Sequence, residues 1–238
     1  MEQVTEPRLL AAYQAMLDAG ERERRLRFRF EKHRHQFLVS HALVRVTLSR
    51  YAPVAPEAWR FSTNTFGRPE IDVGTLPRLR FNLSHTDGMA VCAVALDVDV
   101  GADVEDSERS GQTVEVADSF FSPSETATLR ALPAERQRER FFEYWTLKES
   151  YIKARGAGLS LPLDQFAFHL EPGRPPRISF DPRMVDDPES WQFVQLRFSP
   201  RHPTAVAVRR ARGLPLTVRC QHTVPLAGDE PPWFVSNG

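Results

Sequence analysis

Two carboxylates one residue apart carry the first chemical signal of this chain. They lie in Val100-Gly-Ala-Asp103-Val-Glu105-Asp106. Side chains of a strand alternate faces, so Asp103 and Glu105 project together. Like charges within about 7 Å raise each other's pKa unless a cation lies between them. Mg²⁺ suits such a pair, because it binds a few carboxylates and completes its octahedron with water and phosphate oxygens. A solvated strand face is the plainer reading of an isolated Asp-x-Glu. Asp106 falls just beyond the pair and outside the site.

Three further segments hold reactive side chains. In Tyr144-Trp145-Thr-Leu-Lys148-Glu149-Ser150-Tyr151-Ile152-Lys153, Glu149 and Lys153 are one helical turn apart on one face, which Trp145 shares. Alone, such a pair is a surface contact worth about 0.2–0.5 kcal/mol. In Phe81-Asn82-Leu83-Ser84-His85-Thr86-Asp87-Gly88, the Ser-His dipeptide invites a nucleophile–base reading. Neighbours on an extended chain point apart, which forbids the required hydrogen bond. No G-x-S-x-G elbow is present. His85 is better placed as a phosphate donor, or as a turn histidine with no role. In Phe66-Gly67-Arg68-Pro69, a rigid turn presents Arg68, whose fork suits a phosphate.

The elements that must position these groups are legible in outline. Pro7–Ala19 has helical spacing with Gly20 as its stop, and Glu21–Glu31 is dense in charge. A helix follows from about Glu31 to Tyr51, with Pro53 beyond its end. Phe61–Glu70 reads as strand, turn and strand. Arg80–Ser84, Met89–Leu96 and Val98–Val104 read as strands. A polar loop, Ser107–Val116, precedes helices at Pro123–Leu132 and Arg140–Ala154, with Ser122 or Ser124 as N-cap and Gly156 as the stop. Strands follow at Phe166–Leu170, Arg177–Phe180, Trp191–Phe198 and Ala205–Val208. The tail from about Val224 is expected to be loosely held. The fold class is therefore α+β: two similar-sized lobes, 1–106 and 107–238, each of helices and a few strands.

Bulk composition excludes some functions. The 238 residues, 41% of them hydrophobic, can build a sizeable core. Lys+Arg and Asp+Glu both number 31, so no global basic field for nucleic acid exists. Two cysteines, Cys92 and Cys220, lie outside any C-x-x-C pair, so neither zinc nor a disulfide framework is expected. The longest apolar run, Met89–Leu96, is far short of the roughly 20 residues of a membrane span. The polar N-terminus shows no signal-peptide core, so a cytoplasmic protein is expected.

Taken in order, Gly-Arg68-Pro, Asn-Leu-Ser84-His85, Gly-x-Asp103-x-Glu105 and Trp145-x-x-Lys148-Glu149-x-x-x-Lys153 resemble the 4′-phosphopantetheinyl transferase superfamily. The resemblance is strongest to its Sfp type, a monomeric class acting on peptide and polyketide synthases, and covers about Arg27 to Leu170. It implies a pseudo-dimer with a cleft between lobes. It implies transfer of phosphopantetheine from coenzyme A to a serine of apo acyl or peptidyl carrier proteins. It makes Asp103, Glu105 and Glu149 the Mg²⁺ carboxylates and places Lys153 near the pyrophosphate. Ser84 and His85 become coenzyme A contacts, His85 toward the 3′-phosphate, with Arg68 near the nucleotide. Glu149 becomes the base for the serine proton, directly or by way of a metal-bound water. One departure lies at the N-terminus, where Arg24, or next Arg25, is the best match to the 3′-phosphate contacts and Gln36 stands where arginine is common. Phe120 and Phe121 are candidate carrier contacts, or core residues under the following helix. Two other readings compete: a Mg²⁺-dependent nucleotide phosphoesterase, and a non-catalytic module binding coenzyme A or carriers.

Overall fold

The computed structural model describes residues 1–72, 78–111, 114–210 and 214–236. Three helices come first: α1 (Pro7–Met16), α2 (Ala19–Arg27) and α3 (Glu31–Leu48). Gly20 does not end α1 but lies in the first turn of α2. The cause is a capping box: Asp18 accepts from the Glu21 N–H at 2.9 Å, and Glu21 accepts from the Asp18 N–H at 2.9 Å. Two helix-start donors are thereby satisfied, and the charge-dense stretch becomes helical. Glu21 then faces inward. His41 meets it at 2.8 Å and the fully buried Arg45 donates to it at 2.5 Å. Burial alone would raise the Glu21 pKa. Hydrogen bonds from His41 and the Asp18 backbone, with the charges of His41 and Arg45, outweigh it and hold the group at about 2.

A small hairpin, β1 (Phe61–Thr63) with β2 (Pro69–Ile71), precedes a longer one, β3 (Leu79–Thr86) with β4 (Met89–Leu96). On one face of the longer hairpin, Leu79 and Phe81, flanked by Leu83 and Cys92, pack against Val44 and Leu48 of α3. Cys92 is accordingly a structural residue, its thiol pushed up to about 12 by burial.

The next strand is β5 (Val100–Val104), followed by α4 (Ala117–Phe120), α5 (Pro123–Arg130) and α6 (Ala134–Arg155). Ser122 caps α5 in a second capping box, with Glu125, and Gly156 ends α6 at φ 64°. Then come β6 (Phe166–His169), β7 (Arg177–Phe180), β8 (Trp191–Arg197) and β9 (Pro203–Arg209). β5, β9 and β8 form one antiparallel sheet in that order. The sequence division at 106/107 thus does not follow a sheet boundary, because β5 is hydrogen-bonded to β9. Val100, Ala102 and Val206 pack against Val91, Ala93 and Ala95 of β4 on one side of this sheet. On the other, α6 buries Phe141, Tyr151 and Ile152 with Trp191, Phe193, Ala205 and Ala207 in the main core.

The hairpin and the sheet meet along a seam of side chains. Asn82 accepts from the Ala102 N–H at 2.8 Å, and Ser84 accepts from the Val104 N–H at 3.3 Å. Period two puts both on one face of β3, where they cap donors on β5. The C-terminal segment is not loosely held. β10 (Thr217–Cys220) pairs with β13 (Trp233–Ser236), and β11 (Thr223–Val224) with β12 (Gly228–Asp229). Tyr13 donates to the Pro225 carbonyl at 2.5 Å and Arg50 to Asp229 at 2.7 Å. Strands this short carry too little period to be read from sequence.

Candidate active site

Gly101 decides how α6 meets β5. A Cβ there would lie 2.1 Å from the Ser150 carbonyl oxygen and 2.4 Å from the Ala154 nitrogen. Only glycine permits so close an approach of backbones. Two residues along the strand, Asp103 is buried at 4% exposure and faces the same helix. Lys153 donates to Asp103 Oδ1 at 2.6 Å and to Ser84 Oγ at 3.0 Å. The Ser84 hydroxyl donates to the same carboxylate oxygen at 3.0 Å. Sequence motifs 19 and 50 residues from Asp103 thus converge on one oxygen.

Glu105 and Glu149 flank this centre. The Trp145 indole donates to Glu105 at 3.0 Å, which agrees with Trp145, Glu149 and Lys153 sharing one helix face. Burial raises the Glu105 pKa first and the Asp103 charge second. Arg109, the Trp145 hydrogen bond and Lys153 only partly counter them, leaving the group at about 7. Glu149 is likewise raised, by burial and then Asp103, against Lys153. Burial first, and the charge of Asp103 second, thus make both carboxyls hold their protons more tightly than an exposed glutamate does.

Among the described residues, no three His, Cys, Asp or Glu side chains stand close enough to hold one metal ion. Asp103, Glu105 and Glu149 therefore sense one another without forming a ready cage. The reason is local: the Lys153 ammonium occupies one oxygen of Asp103, and Trp145 holds Glu105. Yet Asp103 Oδ2 is buried with no hydrogen-bond partner. An orphaned carboxylate oxygen beside two acids of raised pKa, with no soft ligand near, fits a hard cation such as Mg²⁺.

Beside the acids lies a cavity of about 420 Å³, lined by His85, Phe28, His33, Gln36, Phe37, Thr86, Asp87, Asp106 and Arg109. Neither this cavity nor a larger pocket of about 530 Å³ at the start of α2, with Asp18, Arg22 and Arg60, is lined by Asp103, Glu105 or Glu149; Arg109, on the wall of the first, reaches Glu105 at 3.5 Å. His85 opens to solvent on one side. Its imidazole is lowered from 6.5 by desolvation first, then by the charges of His41, Lys153 and His33. Neutral imidazole can still donate one N–H to an anion.

Other expected contacts are placed differently. Arg68 is only 8% exposed, and its guanidinium donates to the Ala154 carbonyl at 2.7 Å and the Val100 carbonyl at 3.4 Å. It braces the end of α6 against β5 rather than presenting itself from a turn, and the Ala154 carbonyl, in the last turn of α6, is one of those a helix leaves without its own donor. Ser84 points at Asp103 and not into the cavity. Arg24 is exposed on α2 and does not line the cavity. Arg25 donates to the Arg34 carbonyl at 3.2 Å. Phe121 is core, at 3% exposure, whereas Phe120 is 37% exposed and sits edge-on to Trp145 at 5.6 Å.

Several positioning groups escape a reading of the sequence. Lys148 is fully buried, donating to Glu125 at 2.8 Å and to the Leu163 and Phe166 carbonyls at 2.8 and 2.7 Å. Glu125 in turn accepts from the Phe168 N–H at 2.9 Å. The first basic residue of the helical motif thus fixes α6 to α5 and β6, while its neighbour Glu149 faces the acids. Asn82 is recoverable from its spacing to Ser84; the Glu125–Lys148 pair has no sequence signal beyond the capping box.

Comparison with known proteins places the chain in a family. The family model described as 4′-phosphopantetheinyl transferase superfamily matches residues 99–208, and that described as 4′-phosphopantetheinyl transferase, N-terminal, matches residues 4–97. The 4′-phosphopantetheinyl transferase HetI of Nostoc sp. is 33% identical over 195 residues, 82% of this chain and 79% of its own. A 4′-phosphopantetheinyl transferase of Bacillus subtilis is 35% identical over 166 residues, 70% of each chain. The transferase Sfp of Bacillus subtilis is 35% identical over 158 residues, 66% of this chain and 68% of its own. A solved holo-[acyl-carrier-protein] synthase of Thermotoga maritima overlaps 51% of this chain and 68% of its own at 22% identity and a TM-score of 0.40, too distant to add to the assignment. With its two segments matched in order and relatives at 33–35% identity over two thirds or more of its length, the chain belongs to the 4′-phosphopantetheinyl transferase superfamily.

Proposed function

We propose that this chain transfers the 4′-phosphopantetheine group of coenzyme A to a serine of an apo acyl or peptidyl carrier protein. The observation that carries the reading is the meeting of Asp103, Ser84 and Lys153 at the seam, beside the cavity that His85 lines. In the reaction, the serine oxygen bonds to the β-phosphorus of coenzyme A. The bond from that phosphorus to the bridging oxygen breaks, and adenosine 3′,5′-bisphosphate leaves. Such transfer depends on positioning and on compensation of charge.

Asp103, Glu105 and Glu149 would hold Mg²⁺, which when bound supplies positive charge to the pyrophosphate. Lys153 adds a second positive group at the same place, once its ammonium turns from Asp103 to a phosphate oxygen. His85 donates to a coenzyme phosphate from the cavity wall. Glu149 accepts the serine proton on its carboxylate; a pKa above the ordinary range makes it the stronger base. Phe120, exposed beside Trp145, is the proposed apolar contact for the carrier. The two helix-on-sheet halves are read as a pseudo-dimer, which one chain completes without a second copy, so the enzyme is proposed to be monomeric. No helix among the described residues is long and apolar enough to cross a membrane. The free cysteines and the coenzyme A substrate fit work in the cytoplasm.

The test is an intact-mass measurement of an apo carrier protein after incubation with coenzyme A, MgCl₂ and the enzyme. The expected result is a gain of one phosphopantetheine arm. A carrier of unchanged mass, with nucleotides or coenzyme A hydrolysed instead, would reverse the reading.

A further inference from the structure

We propose that Asp87 is a positioning residue for the coenzyme end of the cleft, holding the turn that carries His85 against both halves of the chain. The inference rests on the reading that His85 contacts coenzyme A. Asp87 lies two residues after His85, in the turn between Thr86 and Met89 that closes the β3–β4 hairpin. Gly88 completes that turn at φ 83°. A hairpin tip with few partners belongs to the least stable parts of a fold. This tip has several.

From α3, Lys32 donates to one carboxylate oxygen of Asp87 at 2.6 Å, and Gln36 donates to the other at 2.9 Å. Lys32 and Gln36 are one turn apart, so a single face of α3 supplies both donors. From the turn before β9, the imidazole of His202 meets the Asp87 backbone carbonyl at 2.8 Å. A carbonyl only accepts, so Nε2 carries a proton, while Nδ1 pairs with the Ser199 hydroxyl at 2.7 Å. His202 is buried, and its ring lies against Gly88, where an added Cβ would meet Cε1 at 3.4 Å. The tip is thus tied to the first half by the Asp87 side chain and the Gly88 carbonyl, and to the second by the Asp87 carbonyl.

Two further facts agree. Asp87 lines the same cavity as His85, where a bare carboxylate would oppose an anionic ligand. The Lys32 and Gln36 hydrogen bonds hold its pKa below the ordinary range and the Lys32 charge offsets its own. Gln36, at a position where the resemblance leads one to expect arginine, is neutral and donates to Asp87, so it brings no cation to a phosphate.

The test is a double-mutant cycle on coenzyme A binding, read by titration calorimetry without carrier, together with steady-state kinetics. The Asp87 side chain is 46% exposed, so Asp87→Ala is expected to fold with an unchanged melting temperature. It should weaken coenzyme A about fivefold, as loss of charged hydrogen bonds around a neighbour does, and raise KM with kcat at saturation kept. In a His85→Ala background, adding Asp87→Ala should change affinity by less than about twofold, since the two act as a unit. Wild-type affinity of Asp87→Ala beside a weakened His85→Ala would overturn the inference alone. So would losses that multiply, or a fall in kcat with KM unchanged. Wild-type affinity of His85→Ala would overturn the reading of His85, and this inference with it.

Discussion

Asp103, only 4% exposed, carries one satisfied oxygen and one, Oδ2, that is buried without a partner. A buried acceptor left unpaired costs about 1–3 kcal/mol, more when charged, so a cation at that oxygen should stabilise the fold. At a hundred times its dissociation constant a ligand contributes about 2.7 kcal/mol, roughly 5–10 °C in a domain of this size. A thermal-shift titration with MgCl₂ should show that rise, and Asp103→Asn should abolish it; an unchanged titration in the mutant would remove Asp103 from the cation site. Glu105 gives a pH dependence of definite sign. Its folded pKa of about 7 lies above the ordinary 4.5, so the folded state binds its proton more tightly than the unfolded chain does. Chelated, metal-free protein should lose stability as pH rises from 5 to 8. Glu105→Gln keeps the acceptor for Trp145 without the charge, so it should flatten that slope and gain on the order of 2 kcal/mol at pH 8. Urea midpoints across the pH range would measure it, and a mutant slope equal to wild type would contradict the assigned burial cost.

The contact between α6 and β5 brings these side chains together, and its geometry rests on backbone approach rather than on any side chain. The Gly-x-Asp-x-Glu pattern therefore has a physical reason at each position: glycine for approach, two acids for charge. Gly101→Ala would force its Cβ against the Ser150 carbonyl oxygen, at 2.1 Å, and the Ala154 nitrogen, at 2.4 Å. Neither is the end of a flexible side chain, so α6 must shift. Overpacking of this kind costs about 1–3 kcal/mol or more. The larger effect is on Glu149 and Lys153, since a misplacement of about 1 Å can cost roughly 100-fold in rate. Carrier-loading kinetics beside a urea melt should show kcat/KM falling far more than stability does. Wild-type turnover would mean that the helix tolerates displacement from the strand. The Glu125–Lys148 pair secures the same helix from behind. Because it is buried at both ends and closed by backbone groups, its role is to fix register and not to react.

At the scale of the molecule, the sequence showed the chemistry more fully than the assembly. Periodicity located β4 residue for residue and most of α3 and α6, because each buries a broad apolar face. The acids, Ser84, His85 and Lys153 were recognisable by motif. Arg68 turns its donors inward to backbone carbonyls while Arg24 stays exposed outside the cavity, and a cation's type in the sequence does not distinguish the two. The place of β5 was hidden for a different reason: which strand it pairs with is set by residues 203–209, a hundred positions away, and no local pattern encodes a partner. That long-range pairing has a thermodynamic consequence. β5 follows the β3–β4 hairpin directly, yet completes the sheet under α6, and Asn82 and Ser84 cap its backbone from β3. Unfolding either half strips β5 of one set of partners and exposes the shared face of Val100, Ala102 and Val206. The halves should therefore melt together. Scanning calorimetry should give one transition with equal calorimetric and van 't Hoff enthalpies, although a chain of this length can hold two domains. Asn82→Ala, which leaves the Ala102 N–H unpaired in the seam, should lower that single transition and reduce the ratio of the two enthalpies. Two resolved transitions in the wild-type protein would show that β5 does not bind the halves into one cooperative unit.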